Sequence, residues 1–536
     1  MRGVAVAEGA AARIARARLP AGWCGSALTS VCHEMQIKFL HVAAGWENTQ
    51  YFTMMPHADA PTTMSTHATR CASSVSTAVA SSSSSSSSSR RRASSHRATT
   101  TTPRVCGGDT TTDANQQKPS KTSSSSLITR RALLAGVATA APAADAAVRW
   151  TADGLDTDRA FFHAFPPIWE PYFGWGERRT VTRPIVDGII WSLEQEQALD
   201  VLAMNVRTTV VKLAADGSLV VFSPQAPTGE FFRAIDALGP VSHVVLPTYA
   251  LEHKVYLPAF CRRYPNARVW VADGIWSVPI DLPLPLLGID PSSGGVLKRA
   301  EDRGADDVAP PWADEIDYKV LRVDSAGANP YVEAVFLHAA SKTLIVTDLV
   351  LSIPATPPEV ISRERLLNLA PNDPADAPAA DTEENLKIGW AKASLVVSFL
   401  GPSRQSQIKG GAYDGKLKWE PGFEASFEKI SDRLIPSPIL RTLVFSKGKG
   451  PTRRFVNEVC DDWGGEFETI APAHYDAPVR GDCASLRAAF AFIDDPGEDG
   501  LGLTTPGAEL PAEDMGVLLQ VNDVLEKIGL GKGTEL

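Results

Sequence analysis

Residues 239–260 read GPVSHVVLPTYALEHKVYLPAF, and this stretch decides the fold class. The Gly-Pro pair ends a helical pattern, and the apolar run at 241–246 predicts a short buried strand. Glu252 and His253 stand where that strand gives way to a second helical pattern. In open α/β sheets, functional groups collect just beyond the carboxyl ends of strands. This acid–histidine pair is therefore the first candidate for chemistry.

The chain on both sides of this stretch alternates strand-like and helix-like segments. A hairpin is predicted at 209–213 and 219–222, and Thr228 is the predicted N-cap of the helix at 228–238. Further strands are predicted at 268–272, 332–337, 343–349, 441–445 and 467–470, and further helices at 253–263, 384–400, 423–434, 451–463, 482–492 and 513–528. Residues 281–315 and 354–385 are typical of long loops. This mixture predicts one layered α/β domain.

The first 146 residues differ in composition from the rest. They carry a formal charge of +8 against −18 for the remainder, and they contain an unbroken serine run at 81–89 followed by three arginines. Such a basic, acid-poor segment buries too little apolar surface to fold and is typical of an organelle transit peptide. A disordered regulatory tail is the alternative. We expect a disordered organelle transit region over 1–128, with Met64 as a candidate for the true start.

A second targeting signal follows. Residues 129–134 read TRRALL and lead into an Ala-rich apolar run that ends near residue 146. This run is too short to span the roughly 30 Å of bilayer hydrocarbon, and paired arginines before it resemble a twin-arginine export signal. We expect an export signal at 129–146, an N-terminal arm at 147–184, and delivery to the chloroplast, in the thylakoid lumen. A chance Arg-Arg pair is the alternative.

Charge and cysteine content limit the partners. The acidic remainder argues against nucleic acid, and no run after the leader reaches 18 apolar residues, so no transmembrane segment is expected there. The partner is left as an unknown small molecule or protein. Only three cysteines follow residue 146, too few for a disulfide framework. A Cys460–Cys483 bridge is conceivable in an oxidising compartment, but the sequence does not decide it.

The candidate functional residues stand at the ends of predicted strands. No Gly-x-Ser-x-Gly, phosphate loop or dinucleotide fingerprint is found, so serine hydrolysis and nucleotide binding have no support. Asp348 stands near the end of strand 343–349, and His474 follows strand 467–470. With Glu252 and His253 they offer two imidazoles and two carboxylates, which can enclose one divalent cation. The alternative is structural: a surface histidine, a helix-dipole acid, a turn-capping aspartate and a buried, satisfied histidine.

The order of these elements resembles the metallo-β-lactamase-like fold. Within it, the chain resembles the plant and cyanobacterial family called domain of unknown function 4336. The matching segments are TTVVKLAADGSLVVFSP, GPVSHVVLPTYALEHKVYLPAF, YPNARVWVA, FLHAASKTLIVTDLV and IAPAHYDAPV. The resemblance implies an αββα sandwich, a single domain over residues 185–530.

The superfamily's His-x-His-x-Asp-His motif falls on VVLPTYALEH, where only part of it is kept. Thr248 and Ala250 take the first two histidine positions, and no histidine stands near Asn329 for the third ligand of the same metal. The second metal position keeps its acid, as a glutamate, and its other ligands. These are Glu252, His253, Asp348 and His474.

The resemblance therefore implies a degenerate metallo-β-lactamase-like domain with a mononuclear site for Zn²⁺, Fe²⁺ or Mn²⁺. Asp476 is expected to orient His474 through its second ring nitrogen. An open position on the metal would make the protein a metal-dependent hydrolase. The alternative is a metal-free, non-catalytic binding or assembly factor in the thylakoid lumen.

Overall fold

The structure, a computed structural model, describes residues 158–162, 175–199, 202–277, 281–305, 307–326, 328–373, 375–407, 417–527, 529 and 532–533. The expected transit region, the expected export signal and most of the expected arm up to residue 174 lie outside the described residues. The strands are β1 Ala160–Phe162, β2 Trp175–Glu177, β3 Thr180–Val186, β4 Ile190–Leu199, β5 Leu202–Lys212, β6 Leu219–Phe222, β7 Val241–Leu246, β8 Arg268–Ala272, β9 Gly295–Leu297, β10 Ile316–Ala326, β11 Ala328–His338, β12 Thr343–Ile345, β13 Leu351–Ser352, β14 Gln405–Gln407, β15 Leu417–Trp419, β16 Leu434–Ile435, β17 Thr469–Ala471, β18 Val479–Arg480 and β19 Lys532–Gly533.

The α-helices between them are α1 Gly229–Leu238, α2 Leu251–Lys254, α3 Leu257–Arg263, α4 Arg363–Leu369, α5 Glu383–Phe399, α6 Phe423–Ile430, α7 Pro438–Leu440, α8 Lys449–Trp463, α9 Cys483–Ala489 and α10 Gly516–Lys527. Three of these helices begin at a capping hydroxyl, among them the helix at Thr228 for which the sequence predicts one. The side chains of Thr228, Ser362 and Thr382 each accept a hydrogen bond from a backbone N–H of the first turn. Among the described residues, no helix combines the length and the hydropathy of a membrane span.

Two mixed sheets lie at the centre of the domain. The first has the order β3-β4-β5-β6-β7-β8-β9, antiparallel from β3 to β6 and parallel from β6 to β9. The second has the order β18-β17-β12-β11-β10-β19, and its one parallel pair is β12 with β17. Parallel neighbours need a crossover, and α1 supplies it between β6 and β7, as α2 and α3 do between β7 and β8.

The two sheets pack face to face and helices cover their outer faces. Val245 and Phe222 of the first sheet meet Phe336 of the second in one apolar core. Helices α1 and α3 pack on the other face of the first sheet, and α8 and α9 pack on the other face of the second. This order of layers confirms the αββα sandwich. It also explains why β6, covered on both sides, is apolar at every position.

The sequence prediction differs from the structure at several elements, and the predicted loop at 281–315 contains β9 of the first sheet. The predicted strand at 441–445 is wrong, because these residues form a π-helical turn that continues α7. Its β-branched pattern is overridden by tertiary contacts, since the buried Arg441 guanidinium donates to the carbonyl oxygens of Leu501, Gly502 and Ala508. The predicted helix at 253–263 is two helices, because Pro258 lacks the N–H of a continuous ladder. The predicted loop at 354–385 contains α4.

The structure also settles the cysteine pairing that the sequence left open. Cys460 in α8 and Cys483 at the start of α9 form a disulfide, with their Cα atoms 5.4 Å apart. The bond ties the two helices that cover the second sheet to each other.

The inter-sheet core should dominate stability. Phe336 is 1% exposed, and its ring centroid lies 4.7 Å from that of Phe222 and 6.1 Å from that of Trp312. We expect Phe336→Ala to lower the free energy of unfolding by about 3–5 kcal/mol, because it removes the ring and leaves a cavity. Urea unfolding measures the loss. Val296→Ala, at a 40% exposed position of β9, is the control and should cost less than about 1 kcal/mol; equal losses would contradict the layered core.

Candidate metal centre

Three strand ends meet at one edge of the sandwich. Strand β7 of the first sheet leads into α2, which carries Glu252 and His253. In the second sheet β12 and β17 are parallel neighbours, with Ile345 paired to Ala471. Asp348 and His474 each lie three residues beyond these paired ends, so the fold delivers them to the same place.

The four side chains converge. His253 Nε2 lies 3.1 Å from His474 Nε2, and Asp348 Oδ1 lies 3.2 Å from His474 Nε2 and 3.6 Å from His253 Nε2. One carboxylate oxygen of Glu252 lies within 4.8 Å of these atoms. Both histidines are buried, whereas the side chain of Asp348 keeps 15% exposure and Glu252 is half-buried. The cluster thus meets solvent on its carboxylate side.

The protonation of His474 is fixed by its other ring nitrogen. Nδ1–H donates to the backbone carbonyl oxygen of Asn205 at 3.0 Å, and a carbonyl oxygen can only accept. In the neutral ring, the lone pair is therefore on Nε2, which points at Asp348 and His253. His253 Nδ1 has no hydrogen-bond partner among the described residues, so burial holds that ring.

Asp348 is fixed through its backbone by a second carboxylate. The fully buried Glu333, on β11, accepts hydrogen bonds from the backbone N–H of Thr347 at 2.7 Å and of Asp348 at 3.1 Å. It also accepts one from the hydroxyl of Tyr331 at 2.5 Å. Glu333 thus stabilises the turn after β12, and it is not one of the four residues whose ligand atoms converge.

The pKa values follow from this crowding. Burial by itself raises the pKa of Asp348, but the charges and hydrogen bonds of His253 and His474 outweigh it and hold the pKa well below its ordinary value. Burial lowers the pKa of His474, but the hydrogen bond and charge of Asp348 reverse the sign, so that this pKa is raised. Opposed shifts in a partly open cluster are typical of functional sites.

The cluster fits a divalent metal ion. Two ligand atoms about 2.1 Å from one tetrahedral ion lie about 3.4 Å apart, close to the three separations between His253, His474 and Asp348. Imidazole nitrogen and carboxylate oxygen are ligands that Zn²⁺, Fe²⁺ and Mn²⁺ accept. Two carboxylates and two neutral imidazoles also balance a charge of +2. The donor set therefore suits the ion that the sequence predicts, and it does not select among the three metals.

The partner expected for His474 is wrong. Asp476 does not bond its second ring nitrogen, because the Asn205 carbonyl occupies that position, and the Asp476 side chain is exposed. The backbone conformation at Tyr475 turns Asp476 away from the His474 ring. Tyr475 adopts a left-handed backbone (φ 57°), after which the Asp476 N–H donates to the Ser352 carbonyl oxygen.

The emptied half of the superfamily motif lies beside the cluster. Thr248 is buried and bridges to Glu333 in the second sheet, and its hydroxyl has no partner among the described residues. Ala250 offers no donor atom. The first two histidine positions of the motif therefore offer one neutral hydroxyl, that of Thr248, and no other donor atom.

Sequence reasoning missed the polar residues that support the cluster. Glu333 and Asn205 lie within strands, as do Glu194 and Arg207, and all four are nearly or fully buried. A charged residue inside an apolar strand pattern was the available signal, because a buried charge requires a partner. Which partner it has depends on the other sheet, and the sequence pattern does not contain that.

Removing the Glu333 carboxylate should destabilise the chain. Glu333→Ala leaves two backbone N–H groups and the Tyr331 hydroxyl without an acceptor, so we expect a loss of about 3 kcal/mol or more in the free energy of unfolding. Urea denaturation is the measurement. Glu458→Ala removes a carboxylate that is 40% exposed and pairs with Lys319, and should cost less than about 1 kcal/mol. A loss for Glu333→Ala as small as this control would contradict the assigned role.

Solved structures similar to this chain are metallo-β-lactamase-like. A metallo-β-lactamase from Pontibacter korlensis is 11% identical, with 59% of this chain and all of that chain covered and a TM-score of 0.28. The DIM-1 metallo-β-lactamase is 10% identical, with 60% of this chain and all of that chain covered and a TM-score of 0.31. The Flv1 flavodiiron core from Synechocystis sp. PCC6803 is 10% identical, with 59% and 61% covered and a TM-score of 0.32. No curated protein matches the chain.

A family model matches the chain over residues 187–492, more than half of its length. Its description is "Domain of unknown function (DUF4336)". The match begins one residue after β3 and ends within the 3₁₀ turn that follows α9, so it contains both sheets' site-bearing strands and all four converging residues. The chain belongs to the family domain of unknown function 4336, as the resemblance predicted.

Proposed function

We propose that this protein binds one divalent transition-metal ion through Glu252, His253, Asp348 and His474 and is a mononuclear metal-dependent hydrolase. The observation that carries the proposal is the convergence of His253 Nε2, His474 Nε2 and Asp348 Oδ1 within 3.1–3.6 Å. Since His474 Nδ1 donates to a carbonyl, Nε2 is the ring nitrogen that faces the Asp348 carboxylate. A proton on Nε2 or a metal cation satisfies this contact, and two carboxylates beside two imidazoles match the charge of a divalent cation.

The chain's own groups prepare that charge site. The Asn205 carbonyl keeps the proton of His474 on Nδ1, and the depressed pKa of Asp348 keeps its carboxylate ionised at neutral pH. Burial of both imidazoles excludes bulk water from one side, and the half-buried Glu252 stands on the open side. When bound, a divalent ion supplies Lewis-acid chemistry that polarises an ester-like carbonyl or phosphoryl oxygen or acidifies a water.

The stoichiometry of one ion follows from the emptied half of the motif. Thr248 offers a neutral hydroxyl and Ala250 offers nothing, so a second ion would lack protein ligands with charge or imidazole character.

A non-catalytic role is the second candidate. The observation that favours it is the number of protein ligands, because four protein ligands and no open position are characteristic of structural metal sites. Assays of the metal-loaded chain against model esters, thioesters and phosphodiesters distinguish the two. Turnover that disappears in His474→Ala supports the hydrolase, and metal binding without any turnover supports a binding or assembly factor.

Metal analysis tests the proposal directly. We expect the full chain, loaded with Zn²⁺ and passed through a desalting column, to retain one ion per chain. His253→Ala and His474→Ala should lose it, because each removes an imidazole ligand. His338→Ala is the matched control: this buried histidine bonds Ser341 and lies outside the cluster, so its variant should keep the ion. Metal-free wild-type protein whose unfolding temperature does not respond to a chelator would refute the metal site.

We also propose that the protein acts in the chloroplast, in the thylakoid lumen. The basic Ser-rich leader and the paired arginines at 130–131 support this address. The Cys460–Cys483 disulfide adds support, because disulfides persist in oxidising compartments.

A fluorescent fusion tests the address. We expect residues 64–150 to deliver a fluorescent protein into plastids, and we expect Arg130→Lys with Arg131→Lys to leave it in the stroma, because the export step needs the arginine pair. Fluorescence outside plastids would contradict the transit region, and unchanged lumenal delivery of the lysine variant would contradict the export signal.

A further inference from the structure

We infer that Glu194, Asn205 and Arg207, buried on β4 and β5 of the first sheet, are positioning residues that set the ligand geometry of His474. The inference rests on the proposed metal site and deepens it, since it assigns a role to side chains that do not belong to the ligand set. Among the described residues, the side-chain hydrogen bonds that leave this group of three all end on the segment 472–475, which follows β17 of the second sheet.

The network starts from a buried ion pair. Glu194 and Arg207 stand opposite each other in the β4–β5 register, and their side chains are 2% and 1% exposed. Glu194 Oε1 accepts from Arg207 Nη2 at 2.9 Å and from Nε at 3.2 Å, and Oε2 accepts from Asn205 Nδ2 at 3.1 Å. The carboxylate therefore fixes the orientation of both donors.

Those donors hold the backbone that carries His474. The Arg207 guanidinium donates to the carbonyl oxygens of Pro472 and, at 2.7 Å, of Tyr475, and the Arg207 N–H donates to Ala473 at 2.8 Å. The Asn205 amide donates to the Tyr475 carbonyl and accepts from the Tyr475 N–H, both at 2.9 Å. The segment is thus anchored on both sides of His474.

Two features show that this anchoring serves the ligand. Tyr475 has a φ of 57°, a conformation that a bulky residue rarely adopts and that persists only where its surroundings enforce it. The bonds that enforce it come from the Asn205 side chain, and the Asn205 carbonyl accepts the Nδ1–H of His474. One residue therefore sets both the backbone turn and the ring orientation.

Energetics point the same way. A buried ion pair is often no more stabilising than apolar residues of similar volume, because each ion loses its hydration. Here the Glu194 carboxylate orients the Arg207 guanidinium and the Asn205 amide, and both donate to carbonyl oxygens of the segment 472–475. Apolar residues of the same volume could not make these hydrogen bonds. Partners of this kind, one shell outside the ligands, typically change metal affinity by about 10–100-fold when removed.

Cobalt binding to the full chain tests the inference. Co²⁺ titration gives a dissociation constant, and its visible d–d absorption reports the ligand geometry directly. We expect Asn205→Ala to weaken Co²⁺ binding about 10–100-fold and to alter the d–d spectrum. Asn205→Gln, which keeps an amide donor and acceptor on a side chain one methylene longer, should give a smaller loss. This graded pair also guards against a failure of the alanine variant to fold.

Arg441→Met is the matched control. Arg441 is fully buried and donates to loop carbonyl groups, as Arg207 does, but these belong to residues 501, 502 and 508 rather than to the cluster. It should lower the unfolding temperature and leave the Co²⁺ dissociation constant and spectrum at wild-type values. Wild-type Co²⁺ binding in both Asn205 variants, or equal loss in Arg441→Met, would overturn the positioning role alone. A wild-type chain that binds no Co²⁺ would overturn the metal site and this inference with it.

Discussion

The structure around the site depends on one electrostatic constraint: three atoms with lone pairs, two imidazole nitrogens and a carboxylate oxygen, meet within 3.1–3.6 Å at the edge of the sandwich. Such atoms repel one another unless a proton or a metal cation lies between them. The surroundings do not relieve this crowding. They enforce it, since the Asn205 carbonyl turns the lone pair of His474 inward and Glu333 fixes the backbone of Asp348.

The αββα architecture makes this enforcement possible. His474 belongs to the second sheet, but its segment is hydrogen-bonded to Asn205, Val206 and Arg207 of the first, so the site joins the two sheets. Glu333 joins the sheets in the opposite direction. It belongs to the second sheet, and its backbone forms a β-bridge with Thr248, which follows β7 of the first sheet. Buried polar networks of this kind are satisfied only in one relative position of the sheets, and they thereby specify it.

The chain matches one half of the metal motif that the resemblance implies and departs from the other half. Ala250 and Thr248 stand where imidazoles are expected, whereas His253 and His474 keep both ring positions and their burial. The retained half is the one whose support reaches into both sheets. The donor set that converges is two imidazoles and two carboxylates, enough for one divalent ion.

Much of the domain was readable from the residues. The strand at 241–246, the helix capped by Thr228 and the long helix near 384–400 follow from apolar periodicity and capping, which are local properties. The candidate ligands were also found from the sequence, because Asp348 and His474 follow strand ends and the acid–histidine pair fits a known motif. The prediction of a strand at 441–445 was wrong, because the Arg441 side chain donates hydrogen bonds to carbonyl oxygens some 60 residues away and the segment forms a helical turn.

What the tertiary structure alone decided is how those ligands are held. Asp476, two residues from His474, was the partner that sequence proximity suggested, whereas the actual partner, Asn205, is 269 residues away along the chain. Periodicity and motif spacing describe neighbours on one element, and they carry no information on which carbonyl a ring nitrogen meets across two sheets. The sequence therefore determined which groups stand at the strand ends, and the packing of the sheets decided their distances, their protonation and their support.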